Sequence, residues 1–296
     1  MTKRSLSVAL NAYEHAIDLL TDRVRAEGID VNWLRIAAAT LGARFAQRRE
    51  FDVAEMALAD YVARLSRGDR SILALPVFLD RQFMAGAVWV RPGGPLRDLD
   101  DLRKDGLRCA ADDATIALYM RQWLGATIGL TATSPWPSLT TAELQTKLAA
   151  GEIDVGFSLN RLKAEKGIVL RRLIGDIPAA EQTAFQTTKV FPILRVVCVQ
   201  RDLAIQHPWL VASLFDGFDQ AKRASLGRLI GAGMSRYPLP WLNAEVTRIR
   251  AVYGEDFWPY GIAANRPTLE AFLATAKAQG VCGSSLTVED LFDAAL

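Results

Sequence analysis

Ser5-Leu6-Ser7-Val8-Ala9-Leu10 alternates polar and apolar residues and runs directly into Asn11-Ala12-Tyr13-Glu14-His15. A period of two marks a half-buried strand. The segment after it, residues 14–26, places Ala16, Ile17, Leu19, Leu20 and Val24 on one helical face, and Gly28 ends it. A strand, a short polar loop and an amphipathic helix open an α/β unit. The basic tip Lys3-Arg4 is followed by an apolar stretch too short and too interrupted for an export signal. The chain is therefore expected to start on its first core strand and to work in the cytoplasm. That setting leans toward an enzyme.

Further α/β units follow. Ile29, Val31 and Trp33 read as the next strand, residues 39–49 as a short helix, and Phe51-Asp52-Val53-Ala54-Glu55-Met56 as a third strand. A helix is expected from about Asp60 to Arg67, then strands over 72–78 and 86–90. Arg91-Pro92-Gly93-Gly94-Pro95 is the clearest punctuation in the chain and marks entry into a second lobe. That lobe opens through Leu107-Arg108-Cys109-Ala110 and holds a helix after Asp112-Asp113-Ala114-Thr115 running to about Leu124, a helix over 141–150 and a buried strand over 153–158. Phe191-Pro192-Ile193-Leu194-Arg195-Val196-Val197-Cys198-Val199 carries the chain back, and helices over 209–228, 239–252 and 267–279 form a tail with a short piece from Thr287. The expected architecture is α/β, with residues 1–95 plus 191–296 forming lobe one with its helical tail and residues 96–190 forming lobe two. A cleft lies between them. Ligands in such folds bind beyond the carboxyl ends of the strands.

The bulk composition narrows the function. The 296 residues are 50% hydrophobic and 23% charged, with a formal net charge of +2, so no nucleic-acid partner is implied. No apolar run approaches the roughly 18 residues that span a membrane. Three scattered cysteines suggest neither a disulfide framework nor a thiolate metal site, and two histidines rule out any mechanism needing several imidazoles. No cofactor is expected. A divalent ion held by carboxylates and substrate oxygens is the one metal arrangement left open.

The order of elements, with Gly254-Glu255-Asp256-Phe257-Trp258-Pro259-Tyr260-Gly261, Asn265-Arg266-Pro267-Thr268-Leu269, Pro240-Trp241, Arg25-Ala26-Glu27-Gly28-Ile29-Asp30, Gly68-Asp69-Arg70 and Leu75-Pro76-Val77-Phe78, resembles the 4,5-dihydroxyphthalate decarboxylase family. The resemblance covers nearly the whole chain. It implies a type II periplasmic-binding-protein-like fold and decarboxylation of a small hydroxylated aromatic carboxylate. It also implies departures. Where that family commonly has Arg-x-Phe-Arg-His, this chain has Arg81-Gln82-Phe83-Met84-Ala85; where it has a histidine after Phe-Pro, this chain has Arg195; its Asp-Tyr-Asp loop is here Asn11-Ala12-Tyr13-Glu14-His15. Key family histidines are replaced, so the pocket is rebuilt.

Several residues carry candidate chemistry. His15 and Glu14 follow the first strand, where an imidazole or carboxylate could handle a proton and Asn11 and Tyr13 could contact a ligand; the plainer reading is a capped helix with a surface histidine. Arg81 and Arg195 offer the fork geometry a carboxylate needs, against a role in interlobe ion pairs. Asp113 and Thr115 mark a helix start facing the cleft, and Ser158, Asn160 and Arg161 follow the second-lobe strand; capping and an ordinary turn are the alternatives. Glu55 and Asp60 flank the end of the third strand, where a carboxylate could donate a proton or bind a metal. The expected mechanism holds one carboxylate with arginine and helix N-termini while an acid, His15 first, protonates the carbon that loses CO2. The alternative is a non-catalytic solute-binding protein for a small aromatic or carboxylated ligand. The apolar tail helices offer a surface for a homodimer.

Overall fold

The protein is described by a computed structural model over residues 3–36, 38–130, 136–165, 167–231 and 237–292. Its elements in chain order are β1 (Arg4–Leu10), α1 (Ile17–Leu20), β2 (Ile29–Arg35), α2 (Ala38–Ala46), β3 (Val53–Ala57), α3 (Leu58–Ser66), β4 (Ile72–Arg81), β5 (Val88–Val90), β6 (Cys109–Ala111), α4 (Ala114–Ile128), α5 (Thr141–Ala150), β7 (Val155–Phe157), β8 (Arg171–Arg172), α6 (Ile177–Thr188), β9 (Ile193–Gln200), α7 (Arg201–Gln206), α8 (Trp209–Ile230), α9 (Leu242–Tyr253) and α10 (Arg266–Ala278).

Two sheets build the two lobes. The first runs β2-β1-β3-β9-β4 and the second β6-β7-β5-β8. β1 pairs parallel with β2 and β3, while β9 pairs antiparallel with both β3 and β4. It follows that β1, β2, β3 and β4 all point their carboxyl ends to one edge, and β9 begins at that edge. In the second sheet β6 and β7 run parallel and also share an edge for their carboxyl ends. β3 and β9 are buried on nearly every residue, as strands covered on both faces are.

The crossing between lobes comes earlier than the Arg91–Pro95 punctuation suggests. β5 belongs to the second sheet, where it pairs with β7 and β8, so the chain passes over between β4 and β5. The glycine-proline run instead forms turns after β5.

One apolar core fills the first lobe and reaches into the second through Tyr119, Met120 and Leu124 of α4. A smaller cluster of Trp89, Ala110, Leu144, Leu148, Leu162 and Leu170 backs the outer side of the second sheet. The tail straps the first sheet: Gly261 N–H donates to the Pro76 carbonyl at 2.8 Å, Trp258 Nε1 to Phe78 at 3.0 Å and Tyr61 Oη to Leu291 at 2.8 Å. No helix among the described residues is long and apolar enough to cross a membrane.

Two helices depart from the expectation. The segment 14–26 is helical only over Ile17–Leu20, because Asp22 turns into the left-handed region (φ 59°) and the N–H groups of Arg23 and Val24 both return to the Asp18 carbonyl. The periodic apolar residues still face inward, but from a turn. Conversely α6 was not expected. Its signals are nonetheless plain, since the Asp176 carboxylate caps Ala179 N–H at 3.1 Å and Pro178 sits in the first turn.

Candidate functional site

The strand edge converges on a cleft of about 1020 Å³ between the two lobes. Its floor is set by strand register. Arg195 lies opposite Ala57 of β3 and opposite Asp80 of β4, while Glu55 pairs with Val197. Glu55 and Arg195 are therefore diagonal neighbours on one face, within reach of long side chains. A register shift in β4 between Leu75 and Asp80 re-aims the end of that strand and brings Asp80 to the floor. The loop after β1 supplies Asn11 and Tyr13.

Glu55 is fully buried and holds this group together. Tyr13 Oη contacts Glu55 Oε2 at 2.5 Å, Asn11 N–H donates to Oε1 at 2.9 Å, and Arg195 Nε stands 3.9 Å from Oε2. Burial pushes the Glu55 carboxyl above the ordinary carboxylate range; the bonds from Tyr13, the Arg195 charge and the bond from Asn11 oppose that push. Burial, reinforced by the Glu55 charge, drives the Tyr13 phenol far upward. Asp80 and Asp60, the latter in the first turn of α3, are also raised by burial and by the charge of Asp113. The floor thus joins three carboxyls that resist ionisation, one phenol and one guanidinium.

The opposite wall comes from the second sheet. Asp112, after β6, accepts from Ser158 Oγ at 2.6 Å, Thr141 Oγ1 at 2.8 Å and Asn160 Nδ2 at 3.1 Å, all on Oδ2. This ties the start of α5 to the loop after β7 and sets Asn160 in the cleft lining. Asp113 caps α4 by accepting from the N–H groups of Thr115 (2.7 Å) and Ile116 (3.1 Å) and also lines the cleft.

The expected site residues therefore divide. Asn11, Tyr13, Asp113, Asn160 and Arg195 line the cleft. His15 does not. The His15 ring instead packs among Trp258 (5.2 Å between centroids), Tyr13 (5.6 Å) and Tyr260 (6.5 Å) on the tail side. Burial, helped by the Lys222 cation, lowers its pKa to about 4, so it is a neutral packing residue at pH 7. Glu14 is exposed and outside the lining. Arg81 is 4% exposed and serves the fold: it donates to the Pro259 carbonyl (3.2 Å) and the Phe191 carbonyl (2.8 Å) and stacks on the Phe191 ring at 4.2 Å. Thr115 is buried, with Oγ1 accepting Ala59 N–H at 3.2 Å, which fastens α4 to the start of α3. Ser158 is buried beneath the wall as a partner of Asp112, and Arg161 is exposed outside the lining. Sequence reasoning passed over Asp80, because the strand it ends was read as stopping at residue 78, and took Asp112 only as part of a helix start. Among the described residues, no group of three or more His, Cys, Asp or Glu side chains is placed to hold a metal ion.

The buried neutral His15 has a consequence for stability. Its folded pKa of about 4 lies below the unfolded value near 6.5, so the unfolded chain binds the proton more readily between those limits. Its contribution is fully present above pH 6.5 and is lost as pH falls toward 4, on the order of 3 kcal/mol when complete. Urea midpoints of the wild type should fall faster over that window than those of His15→Phe. Parallel curves would show that the imidazole is not buried neutral.

No family model matches the chain. A curated 4,5-dihydroxyphthalate decarboxylase from Comamonas testosteroni is 26% identical over 320 aligned positions, covering 99% of this chain and 97% of its own length. The chain resembles 4,5-dihydroxyphthalate decarboxylase over nearly its full length. A second protein of that description, from Pseudomonas putida, is 24% identical over 132 positions, or 45% of this chain and 51% of its own. Among solved structures, the periplasmic aliphatic sulphonate binding protein SsuA of Escherichia coli superposes with a TM-score of 0.57 at 13% identity, covering 97% of this chain and 91% of its own. The fold is that of the periplasmic binding proteins, with two α/β lobes, a central cleft and a helical tail.

Proposed function

We propose that this protein is a carboxy-lyase that removes CO2 from a small hydroxylated aromatic carboxylate. The observation that carries the reading is the Tyr13–Glu55–Arg195 cluster at the cleft floor: a solute-binding site needs the cation, but it has no need of a buried carboxyl joined at 2.5 Å to the phenol of a cleft-lining tyrosine. The likeness to decarboxylases supports it.

In the proposed reaction Arg195 pairs with the ligand carboxylate and fixes the ring against the apolar side chains of Met56, Ile116 and Leu194, which line the same cleft. The hydroxylated ring is electron-rich and accepts a proton at the carbon bearing the carboxylate. Tyr13 Oη delivers that proton, and Glu55, whose carboxyl burial holds above the ordinary carboxylate range, replaces it across their short contact. The C–C bond to the carboxylate then breaks, its electron pair restores the aromatic ring, and CO2 leaves. One proton has taken the place of CO2, and Glu55 regains its proton from solvent. Asn11 N–H keeps Glu55 oriented throughout.

The test is incubation of the purified protein with a panel of hydroxylated aromatic carboxylates, following CO2 and substrate loss by mass spectrometry. Saturable CO2 release is expected from at least one. Saturable binding without CO2 from any would replace the lyase by a solute-binding protein.

A further inference from the structure

We propose that Trp258, from the tail, is a positioning residue for the proton donor: it holds the end of β4 and the Tyr13 ring in the places the reaction needs. The inference rests on the lyase reading above and adds a residue to the machinery of that same site.

The need for such a residue arises in β4. Leu75 pairs with Val197 of β9 and Asp80 with Arg195, so residues 76–79 stand against Val196 alone. A stretch with extra residues leaves the ladder, and its buried carbonyls need donors from elsewhere. The tail supplies two. Gly261 N–H donates to the Pro76 carbonyl at 2.8 Å, and Trp258 Nε1–H donates to the carbonyl of the buried Phe78 at 3.0 Å. Two residues beyond Phe78 stands Asp80, on the cleft floor opposite Arg195. The indole bond therefore fixes the backbone that carries Asp80 into the site.

The same indole backs the proton donor. Its ring lies 5.2 Å from the His15 ring, which lies 5.6 Å from the ring of Tyr13, whose Oη contacts Glu55 at 2.5 Å. The indole also meets Phe191 edge-on, at 5.5 Å with the planes 88° apart. Phe191 precedes β9 and carries the Arg81 guanidinium on its ring. Trp258 thus joins the loop after β1, the end of β4 and the approach to β9. Aromatic side chains pack in defined geometries, so a shift of the indole passes through His15 to the phenol. Trp258 is half-buried and outside the cleft lining, so it acts through Tyr13 and Asp80 and not on the ligand. The ligand anchor is held differently: Arg195 sits in the regular ladder between β9 and β3. Disturbing Trp258 should therefore cost turnover and spare binding.

Two replacements test this in the full-length protein. Trp258→Phe keeps an aromatic ring and loses the donor. Replacing Trp258 by 3-benzothienylalanine keeps the shape of the indole and puts sulfur where the N–H was, so it tests the bond even where the phenylalanine variant fails to fold. CO2 release is followed with the panel of hydroxylated aromatic carboxylates, 4,5-dihydroxyphthalate first. The urea transition of each variant gives its folded fraction, and kcat is counted per folded molecule. Both replacements are expected to lower kcat by about 10- to 100-fold, the cost of a misplaced reacting group, with KM within about threefold of the wild type. Wild-type kcat from the benzothienyl protein, or a KM that rises as far as kcat falls, overturns the inference and leaves the lyase reading standing. Absence of CO2 from every member of the panel with the wild type removes the lyase reading, and the inference with it.

Discussion

Glu55→Gln should lower CO2 release by about 10²–10⁴-fold, the usual contribution of a positioned acid, while ligand affinity stays within about threefold. Glutamine keeps the shape of the side chain and still accepts the Asn11 N–H, so the loop after β1 stays in place. What it cannot do is return a proton to Tyr13. Tyr13→Phe should give the same split, with kcat falling and KM nearly unchanged. A pH profile adds a sign. Burial raises the carboxyls of Glu55, Asp80 and Asp60, so the protonated form persists above the ordinary carboxylate range. Activity should therefore fall on the alkaline side, with an apparent pKa above that range. Because the three groups act on one another, that pKa belongs to the cluster and not to one residue. Undiminished turnover by Glu55→Gln would remove the proton route described here.

The second large effect is on stability. Arg81→Met should destabilise the fold by about 3 kcal/mol, the loss of two charge-assisted hydrogen bonds and a ring contact partly offset by no longer burying a charge. Both carbonyls it serves, on Phe191 and Pro259, lie at joints: one opens the return strand and the other belongs to the tail strap. No carboxylate among the described residues pairs with this guanidinium, and burial lowers its pKa to about 10. Arg81→Lys should recover little, because one ammonium does not span both carbonyls and the Phe191 ring. Urea denaturation measures the change. Had Arg81 been the ligand anchor, its replacement would abolish binding and leave the urea midpoint unmoved.

Much of the fold is legible in the sequence for simple reasons. Period-two alternation in β1, the apolar run of β9 and the punctuated units between them fix which segments pair, so a two-lobed α/β arrangement follows. Individual sites are harder. His15 stands two residues from Tyr13 and packs against its ring, yet Tyr13 reaches the cleft lining while the imidazole stays behind it in an aromatic packet with Trp258 and Tyr260. Sequence offers no sign of which of the two reaches the lining. Glu55 did carry a signal: a carboxylate inside Val53-Ala54-Glu55-Met56-Ala57 is costly to bury without partners, and its partners define the site. Asp80 carried less, since only the register shift in β4 turns it toward Arg195. Arg81 and Arg195 looked alike as anion anchors. Packing separates them, because the tail covers the first and the cleft opens over the second.

The most direct test of the proton route is turnover in deuterium oxide with the panel member that yields CO2, followed by mass spectrometry and proton NMR of the product. One deuterium on the ring carbon that lost its carboxylate, at one per CO2, is the expected result, with that product formed far more slowly by Glu55→Gln. Deuterated product formed at the wild-type rate by Glu55→Gln and Tyr13→Phe, or bound ligand recovered unchanged, would contradict the account.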